Sequence, residues 1–216
     1  MNALLPYTPP TITRHLHGAN SAVNRNRNAH GLNHNVCERI DGVAVADLAA
    51  RFGSPLFVFS ERTLRDKIRR AREAFESRYP NTRFAWSYKT NYLNAICRVF
   101  HSEGSIAEVV SEFEYEKARR NGIAGRDIIF NGPHKSRAGL ELAVTEGAMI
   151  QVDNWDELLL LDTIAKEQNR SIDIAIRCWL DAGIQPVWSK FGFGVENGEA
   201  WRVIRRIAES KGRLRL

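Results

Sequence analysis

The stretch "FAWSYKTNYLNAICRVFHSEGSIAEVVSEFEYEKARRNGIAGRDIIFN", residues 84–131, contains three short apolar runs separated by longer segments with helical periodicity. These runs, together with two comparable ones further along the chain, occupy residues 84–88, 106–110, 127–131, 149–153 and 172–178. Their first residues lie 21 to 23 positions apart. Strands that alternate with helices at so short and regular a period predict a parallel sheet with right-handed crossover connections.

The segments between the runs predict amphipathic helices. The i, i+3, i+4, i+7 spacing of one helical face occurs at Leu93, Ile96, Cys97 and Phe100, and the related i, i+1, i+4, i+5 spacing at Val203, Ile204, Ile207 and Ala208 predicts another such face. Two helix starts have a capping residue followed by an acid three positions later, Ser111 with Glu114 and Asn154 with Glu157. Three helix ends are marked by a glycine, which readily adopts positive φ, at Gly104, Gly122 and Gly147.

Two α/β architectures fit this alternation, an open doubly wound sheet and a (β/α)8 TIM-type barrel. No G-x-G-x-x-G follows the first strand, which removes the main reason to prefer a nucleotide-binding sheet. The near-constant period favours the barrel. A barrel needs eight strands, whereas the sequence provides five and, at "RLRL" (213–216), the start of a sixth. We therefore expect a barrel that is incomplete in these 216 residues and that belongs to a longer chain.

The sequence predicts a chain of three regions. Residues 1–36 contain no Asp or Glu, are rich in Asn and His and have no periodicity, which predicts a mobile polar arm. Residues 37–80 predict a short helix in "VAVADLAARFG", a strand in "PLFVFS" and a long helix that Ser60 caps and that runs to about Arg78. Residues 81–216 are the expected partial barrel.

Composition excludes several classes of protein. The net charge of +6 is not gathered into a basic stripe with aromatic residues, so we expect no nucleic-acid partner. No apolar run is long enough to span a membrane and no secretory signal is recognisable, so we expect a cytoplasmic protein. The three cysteines are far apart, which predicts reduced thiols, and no set of His and Cys residues has convincing metal-ligand spacing.

The side chains of "FAWSYK" divide between two faces. Because side chains alternate along a strand, Phe84, Trp86 and Tyr88 share one face, and Ala85, Ser87 and Lys89 share the other. In a barrel the aromatic residues would pack against helices. Lys89 would project inward at the carboxyl end of its strand, where barrel enzymes build their active sites.

A lysine at this place has two interpretations. It can extend its flexible stem into a loop, or it can be a partly desolvated amine that becomes nucleophilic and forms a Schiff base. Other strands also end in polar residues, which favours a site at this rim without deciding its chemistry: Glu108, Asn131, Asp153 and Arg177.

Six segments, in order, resemble the fold-type III pyridoxal-phosphate decarboxylases, the group of ornithine, arginine and diaminopimelate decarboxylases. "RFGSPLFVF" is similar to that family's FGTPLYVY, and "SYKTNYLNAICRVFHSEG" to its YAxKAN block with the cofactor lysine. The others are "AEVVSEFEYEKARRNGI" (DVVSxGEL), "IIFNGPHKS" (FxGNxKS), "IQVDNWDELLLL" (VDSxxEL) and "WSKFGF" (SKFG). The resemblance covers residues 40–216.

This resemblance implies a function and a cofactor. Lys89 maps onto the lysine that carries pyridoxal 5′-phosphate as a Schiff base, and Glu108 and Arg177 would also contact the cofactor. The intact protein would be a homodimer that decarboxylates an amino acid of the diaminopimelate or ornithine type. An amino-acid racemase on the same barrel, a noncatalytic carrier of pyridoxal phosphate and a regulatory homologue stay open as alternatives.

The chain departs from the family pattern, which indicates a divergent subgroup. Trp86-Ser87 replaces the usual Tyr-Ala, Glu108 replaces an Asp, and Pro133 and His134 replace asparagines. The resemblance also implies that further cofactor contacts and a second domain follow residue 216. We therefore expect the 216 residues alone to bind the cofactor poorly and to be inactive.

Overall fold

The computed structural model describes residues 37–183 and 189–216, in two compact units that meet in sequence between Val58 and Phe59. In the first unit, strands β1 (Arg39–Ile40) and β2 (Val43–Ala44) form an antiparallel pair, followed by helix α1 (Val45–Phe52). This helix ends at Gly53, whose φ of 84° favours glycine.

The second unit alternates strands and helices. Its helices are α2 (Glu61–Glu76), α3 (Asn94–Ser102), α4 (Glu112–Arg120), α5 (Arg137–Glu146), α6 (Trp155–Glu167) and α7 (Glu199–Glu209). Its strands are β3 (Ala85–Ser87), β4 (Ile106–Val109), β5 (Ile128–Phe130), β6 (Met149–Val152), β7 (Ile172–Ile176), β8 (Cys178–Trp179), β9 (Phe193–Gly194) and β10 (Leu214–Arg215). A 3-10 turn, Gly125–Asp127, precedes β5.

Six of these strands form one parallel sheet in the order β10-β7-β6-β5-β4-β3. The helices connect successive strands that all run in the same direction, which confirms the predicted parallel α/β alternation. The "RLRL" segment supplies the sixth strand, where Leu214 pairs with Ile172. Since β3 and β10 are not paired with each other, the barrel is not closed within this chain.

The two faces of the sheet differ in burial. One face packs against the helices and forms the core, which includes Val109, Phe130, Ile150, Val152 and Ile174 from the strands and Leu140, Leu158, Leu161 and Ile164 from α5 and α6. The register places Ser87, Glu108, Ile129 and Met149 side by side on the other face. That inner face is only partly buried, so polar side chains are tolerated there.

The aromatic residues around β3 face the helices, as predicted. Trp86 stacks on Phe100 of α3 with ring centroids 3.7 Å apart, and Phe84 meets Phe75 of α2 edge-on at 5.7 Å. Tyr88 is fully buried. The opposite face therefore keeps only the small or polar side chains of this segment.

The predicted helix starts and ends are confirmed at the backbone. The hydroxyls of Ser60 and Ser111 and the amide oxygen of Asn154 accept hydrogen bonds from N–H groups in the first turns of α2, α4 and α6. Ser136 caps α5 in the same way. The three predicted terminal glycines have φ of 87°, 89° and 71° at Gly104, Gly122 and Gly147.

One predicted strand is wrong, because "PLFVFS" (55–60) forms neither strand nor helix. A strand needs a neighbour for its backbone hydrogen bonds, and no described residue pairs with this segment. Its apolar side chains are correspondingly exposed, Phe57 to 90%. Smaller corrections concern Leu93, which precedes α3 and is exposed, and Ala208, which points to solvent from α7.

The predicted mobile arm, residues 1–36, lies outside the described residues, and the expected division into three regions stays a prediction. The barrel strands begin and end within two residues of the predicted runs. Among the helices of the described part, none combines the length and apolar character that crossing a bilayer requires.

Replacing Leu161 with alanine tests the core on the helix side of the sheet. Leu161 is fully buried, so Leu161→Ala should lower the free energy of unfolding by about 2–5 kcal/mol through lost burial and the cavity left behind. Leu159, on the same helix and 47% exposed, is the matched control, and Leu159→Ala should change that free energy by less than about 0.5 kcal/mol. Urea unfolding at neutral pH measures both, and equal losses would contradict the assigned faces of α6.

Candidate active site

Lys89 lies in the turn that directly follows β3, two residues beyond the last strand residue, Ser87. The backbone N–H of Thr90 closes this turn on the carbonyl of Ser87 at 3.1 Å. The Lys89 side chain is exposed and makes no hydrogen bond or ion pair with any residue in the described ranges. The amine is therefore accessible and not partly desolvated, which corrects one expectation from the sequence, and it stands in a turn rather than in the strand itself.

The backbone on both sides of Lys89 is held in place. Before it, the N–H of Tyr88 donates to the carbonyl of Glu108 on β4 at 3.0 Å. After it, the carbonyl of Asn91 accepts from the indole N–H of Trp86 at 2.9 Å. These bonds place the lysine on rigid backbone at the edge of the sheet, as a functional site requires.

The buried hydroxyl of Tyr88 adds a third anchor. It lies 3.0 Å from Nε2 of His101, and it accepts from the side-chain amide of Asn121 at 3.2 Å. Nδ1 of His101 lies 2.7 Å from the carbonyl of Ser105, which can only accept, so Nδ1 carries the proton and Nε2 of the neutral ring accepts from Tyr88. Burial raises the pKa of Tyr88 to about 12 and lowers the pKa of His101.

Glu108 lies on β4 opposite Ser87, two residues before Lys89, and does not form an ion pair with Lys89. Its carboxylate accepts from the hydroxyl of Ser87, its register partner on β3, and from the side-chain amide of Asn131, at 3.0 Å. Both carboxylate oxygens therefore have a partner from a neighbouring strand.

Glu114, in the first turn of α4, links Lys89 and Glu108 electrostatically. Burial raises the pKa of its carboxyl, the hydrogen bond from the N–H of Val110 opposes this, and the charge of Glu108 raises it further while Lys89 lowers it. The three groups therefore lie at the same end of the sheet. The sequence-predicted capping role of Ser111 toward Glu114 is confirmed at 3.3 Å, but the acid bonds to Val110 and not to the cap residue.

A second lysine, Lys135, is buried in the turn that follows β5, at the same end of the sheet. Its ammonium donates to both oxygens of Glu157 at 3.0 Å and to the carbonyls of Gly132 and Gln151 at 2.8 and 2.9 Å. The ion pair is almost completely buried. Burial lowers the pKa of Lys135, and the adjacent Glu157 opposes that shift. Lys135 thus connects the turn after β5 to β6 and α6.

Arg177 lies at the end of β7, apart from Lys89. Its guanidinium forms a 3.2 Å ion pair with the buried Asp153 at the end of β6 and stacks over the ring of Phe191 at 4.8 Å. Three strands separate β7 from β3, and within the described residues Arg177 contacts neither Lys89 nor Glu108. The three predicted site residues, Lys89, Glu108 and Arg177, therefore lie at the same end of the sheet but do not contact one another.

Comparison with known proteins identifies the family of this chain. The sequence profile described as "Pyridoxal-dependent decarboxylase, pyridoxal binding domain" matches residues 65–213, well over half of the chain. The chain belongs to this family. The resemblance stated from the sequence is confirmed, and so is the cofactor that it implied, since pyridoxal phosphate is the cofactor of these decarboxylases.

Several of the similar proteins are diaminopimelate decarboxylases. Identity is 31% over 183 residues with that of Bacillus subtilis (strain 168), covering 80% of this chain and 41% of the relative. It is 33% over 138 residues with that of Archaeoglobus fulgidus, covering 64% and 32%. The crystal structure of the enzyme from Methanocaldococcus jannaschii, in co-complex with L-lysine, matches with a TM-score of 0.72 and 29% identity, covering 82% and 43%.

This family member spans less than half of the length of the curated relatives that it matches. Within that span, the residues present fit pyridoxal phosphate. Lys89 offers an unpaired amine of the kind that would condense with the cofactor's aldehyde, and the guanidinium of Arg177 would suit the ring or the phosphate of the cofactor as a charged donor. The buried Oδ1 of Asn131 has no donor among the described residues and can accept from a bound group.

Sequence reasoning missed the roles of Ser87, Lys135 and Glu157. The signals were present in the quoted blocks, since a lysine after a strand and an acid three residues after a cap are both visible. What they bond to depends on which turns become neighbours, and spacing along the chain does not reveal that. In the described ranges no group of three or more potential ligands is arranged for a metal ion.

Removing Lys135 tests the buried ion pair. Lys135→Met should lower the free energy of unfolding by about 3–5 kcal/mol, because it leaves the carboxylate of Glu157 buried without its countercharge. The control is Lys166→Met on the exposed side of α6, for which we expect a change within about 0.5 kcal/mol. Chemical denaturation at pH 7 compares them, and similar stability of the two variants would rule out a structural role for the pair.

The stability that the buried contact between Tyr88 and His101 provides should depend on pH. Because burial lowers the pKa of His101, the unfolded chain takes up its proton first as the pH falls below about 6.5, and stability is lost with falling pH. His101→Gln removes this titration. The stability difference between wild type and variant should therefore shrink between pH 7.5 and about 5.5 in denaturation experiments. A difference that is constant with pH would show that His101 does not titrate in this way.

Proposed function

We propose that this chain supplies the lysine-bearing part of a pyridoxal-phosphate-dependent amino-acid decarboxylase. The observation that carries the proposal is Lys89, an exposed and unpaired amine on anchored backbone at the carboxyl end of a parallel strand in a chain of this family. An amine of this kind is the group that attaches such a cofactor covalently. The alternative interpretation, a lysine extended into a loop, does not explain why its flanking backbone is so firmly anchored.

When bound, pyridoxal phosphate supplies an aldehyde for amines to condense with and a ring that accepts the electron pair left by departing CO2. Lys89 would attach the cofactor and give way to the amino group of the substrate. In the proposed reaction the carboxylate on the substrate α-carbon would leave as CO2, and a proton would take its place.

The other two predicted residues would act through charge. Glu108, with its carboxylate held between Ser87 and Asn131, would set the protonation of the Lys89 nitrogen. Arg177 would lie beside the ring or order the phosphate side, and its pairing with Asp153 fixes the direction from which the guanidinium can donate. Both roles are proposals that the fit of the residues supports.

The proposed substrate is an amino acid of the diaminopimelate type. The named relatives are diaminopimelate decarboxylases, and one of them was crystallised with L-lysine. The homodimer and the cytoplasmic location implied by the sequence stay predictions.

Replacing Lys89 tests the proposal. In the protein that contains this chain, pyridoxal phosphate should give an absorbance band near the edge of the visible range, and borohydride reduction should label Lys89. Lys89→Ala should abolish both the band and the label, and should reduce decarboxylation at least about 100-fold because covalent attachment is lost. Lys67→Ala, an exposed lysine on α2, is the matched control and should keep them.

The outcomes separate the candidate functions. Absence of the band and of the label in wild type would refute cofactor attachment at Lys89. A product that keeps its carboxylate but has the opposite configuration would identify a racemase. A band without turnover of any amino acid would identify a carrier of the cofactor.

A further inference from the structure

Three inner-face residues from neighbouring strands form a connected group, which we call the Glu108 clamp: Ser87, Glu108 and Asn131. The hydroxyl of Ser87 donates to Oε2 of Glu108, and Nδ2 of Asn131 donates to Oε1 at 3.0 Å. Each oxygen of the carboxylate therefore has its own donor. A side chain with three rotatable bonds is restricted to one position.

The clamp stands on regular backbone. Ser87 and Glu108 are register partners on β3 and β4, and the N–H of Asn131 donates to the carbonyl of Val109 at 2.8 Å as β5 ends. The amide orientation of Asn131 follows from the contact, because a carboxylate accepts only from the NH2 end. The three side chains are thus positioned by the sheet and not by a flexible loop.

Two members of the clamp are departures from the family pattern stated above. Ser87 stands where the pattern has alanine, and Glu108 where it has aspartate. Alanine has no donor, and the extra methylene of glutamate gives it more rotamers than aspartate. The added hydroxyl compensates for the added freedom, since it contacts the same carboxylate that the longer side chain carries.

We propose that Ser87 is a positioning residue that acts through Glu108. By fixing the carboxylate on the inner face, it keeps one negative charge at the end of the sheet where Lys89 follows β3, and this charge would favour the protonated form of the nitrogen that joins Lys89 to the bound cofactor. This proposal rests on the proposed function. The other titratable groups at this place are Lys89 itself, in the turn after β3, and the buried Glu114, on α4.

The main test is the pH titration of the band of the Lys89-attached cofactor. In Ser87→Ala the freed carboxylate spends less time near the nitrogen, so the midpoint of the titration should fall by about half a unit. In a Glu108→Gln background the same Ser87→Ala change should have no further effect. Ser87→Thr, which keeps the hydroxyl, should keep the wild-type midpoint.

A matched control distinguishes positioning from general stability. Ser136 is a serine on the same rim whose hydroxyl caps α5 at 3.1 Å. Ser136→Ala should lower thermal stability and leave the midpoint unchanged. Two results would overturn the positioning role: an unchanged midpoint in Ser87→Ala, or a midpoint that Ser87→Ala shifts equally in the wild type and in the Glu108→Gln variant.

A second experiment needs no cofactor. Unfolding of wild type, Ser87→Ala, Glu108→Gln and the double variant forms a cycle, in which we expect non-additive stability changes because the two side chains are in contact. Additive changes would overturn the clamp itself. If wild type shows no cofactor band, the proposed function and the positioning role both fail, and the cycle still reports whether the contact exists.

Discussion

The buried ion pair between Lys135 and Glu157 organises the carboxyl rim of the sheet. Removing two charges from water is costly, and the pair is tolerated because both ends have further hydrogen bonds. Lys135 also bonds the carbonyls of Gly132 and Gln151, while Glu157 also accepts from the N–H of Asp153. The turn after β5 and the end of β6 are thereby joined, and Asp153 in turn orients Arg177 at the end of β7.

The rim therefore has two parts with different functions. Around Lys135, charges are buried and paired, which gives rigidity but leaves no group free for chemistry. Around Lys89, the backbone is anchored by buried partners of Tyr88 while the amine itself stays exposed. A reactive amine needs this combination, because a fixed position lowers the entropic cost of reaction and exposure allows the substrate to reach it.

Much of the fold could be predicted from the sequence, and so could the position of Lys89 at the carboxyl end of the first barrel strand. Apolar periodicity and capping residues act over a few positions, so the barrel strands were recognisable within two residues and three helix starts from their caps. "PLFVFS" has the same local pattern and yet forms no strand, since a strand also needs a partner that local pattern does not reveal. The family profile adds the cofactor, while the substrate and the activity of the whole protein stay proposals.

The sequence by itself determined the alternation of strand and helix and the separation of Lys89 from the aromatic residues beside it. The first follows from the period of the apolar runs and the helical spacing between them, and the second from the way neighbouring side chains of an extended chain point to opposite faces. Only the tertiary structure decided that Glu108 bonds Ser87 and Asn131 instead of Lys89. Those partners lie 21 and 23 residues from it along the chain, and they become neighbours because of the register between parallel strands.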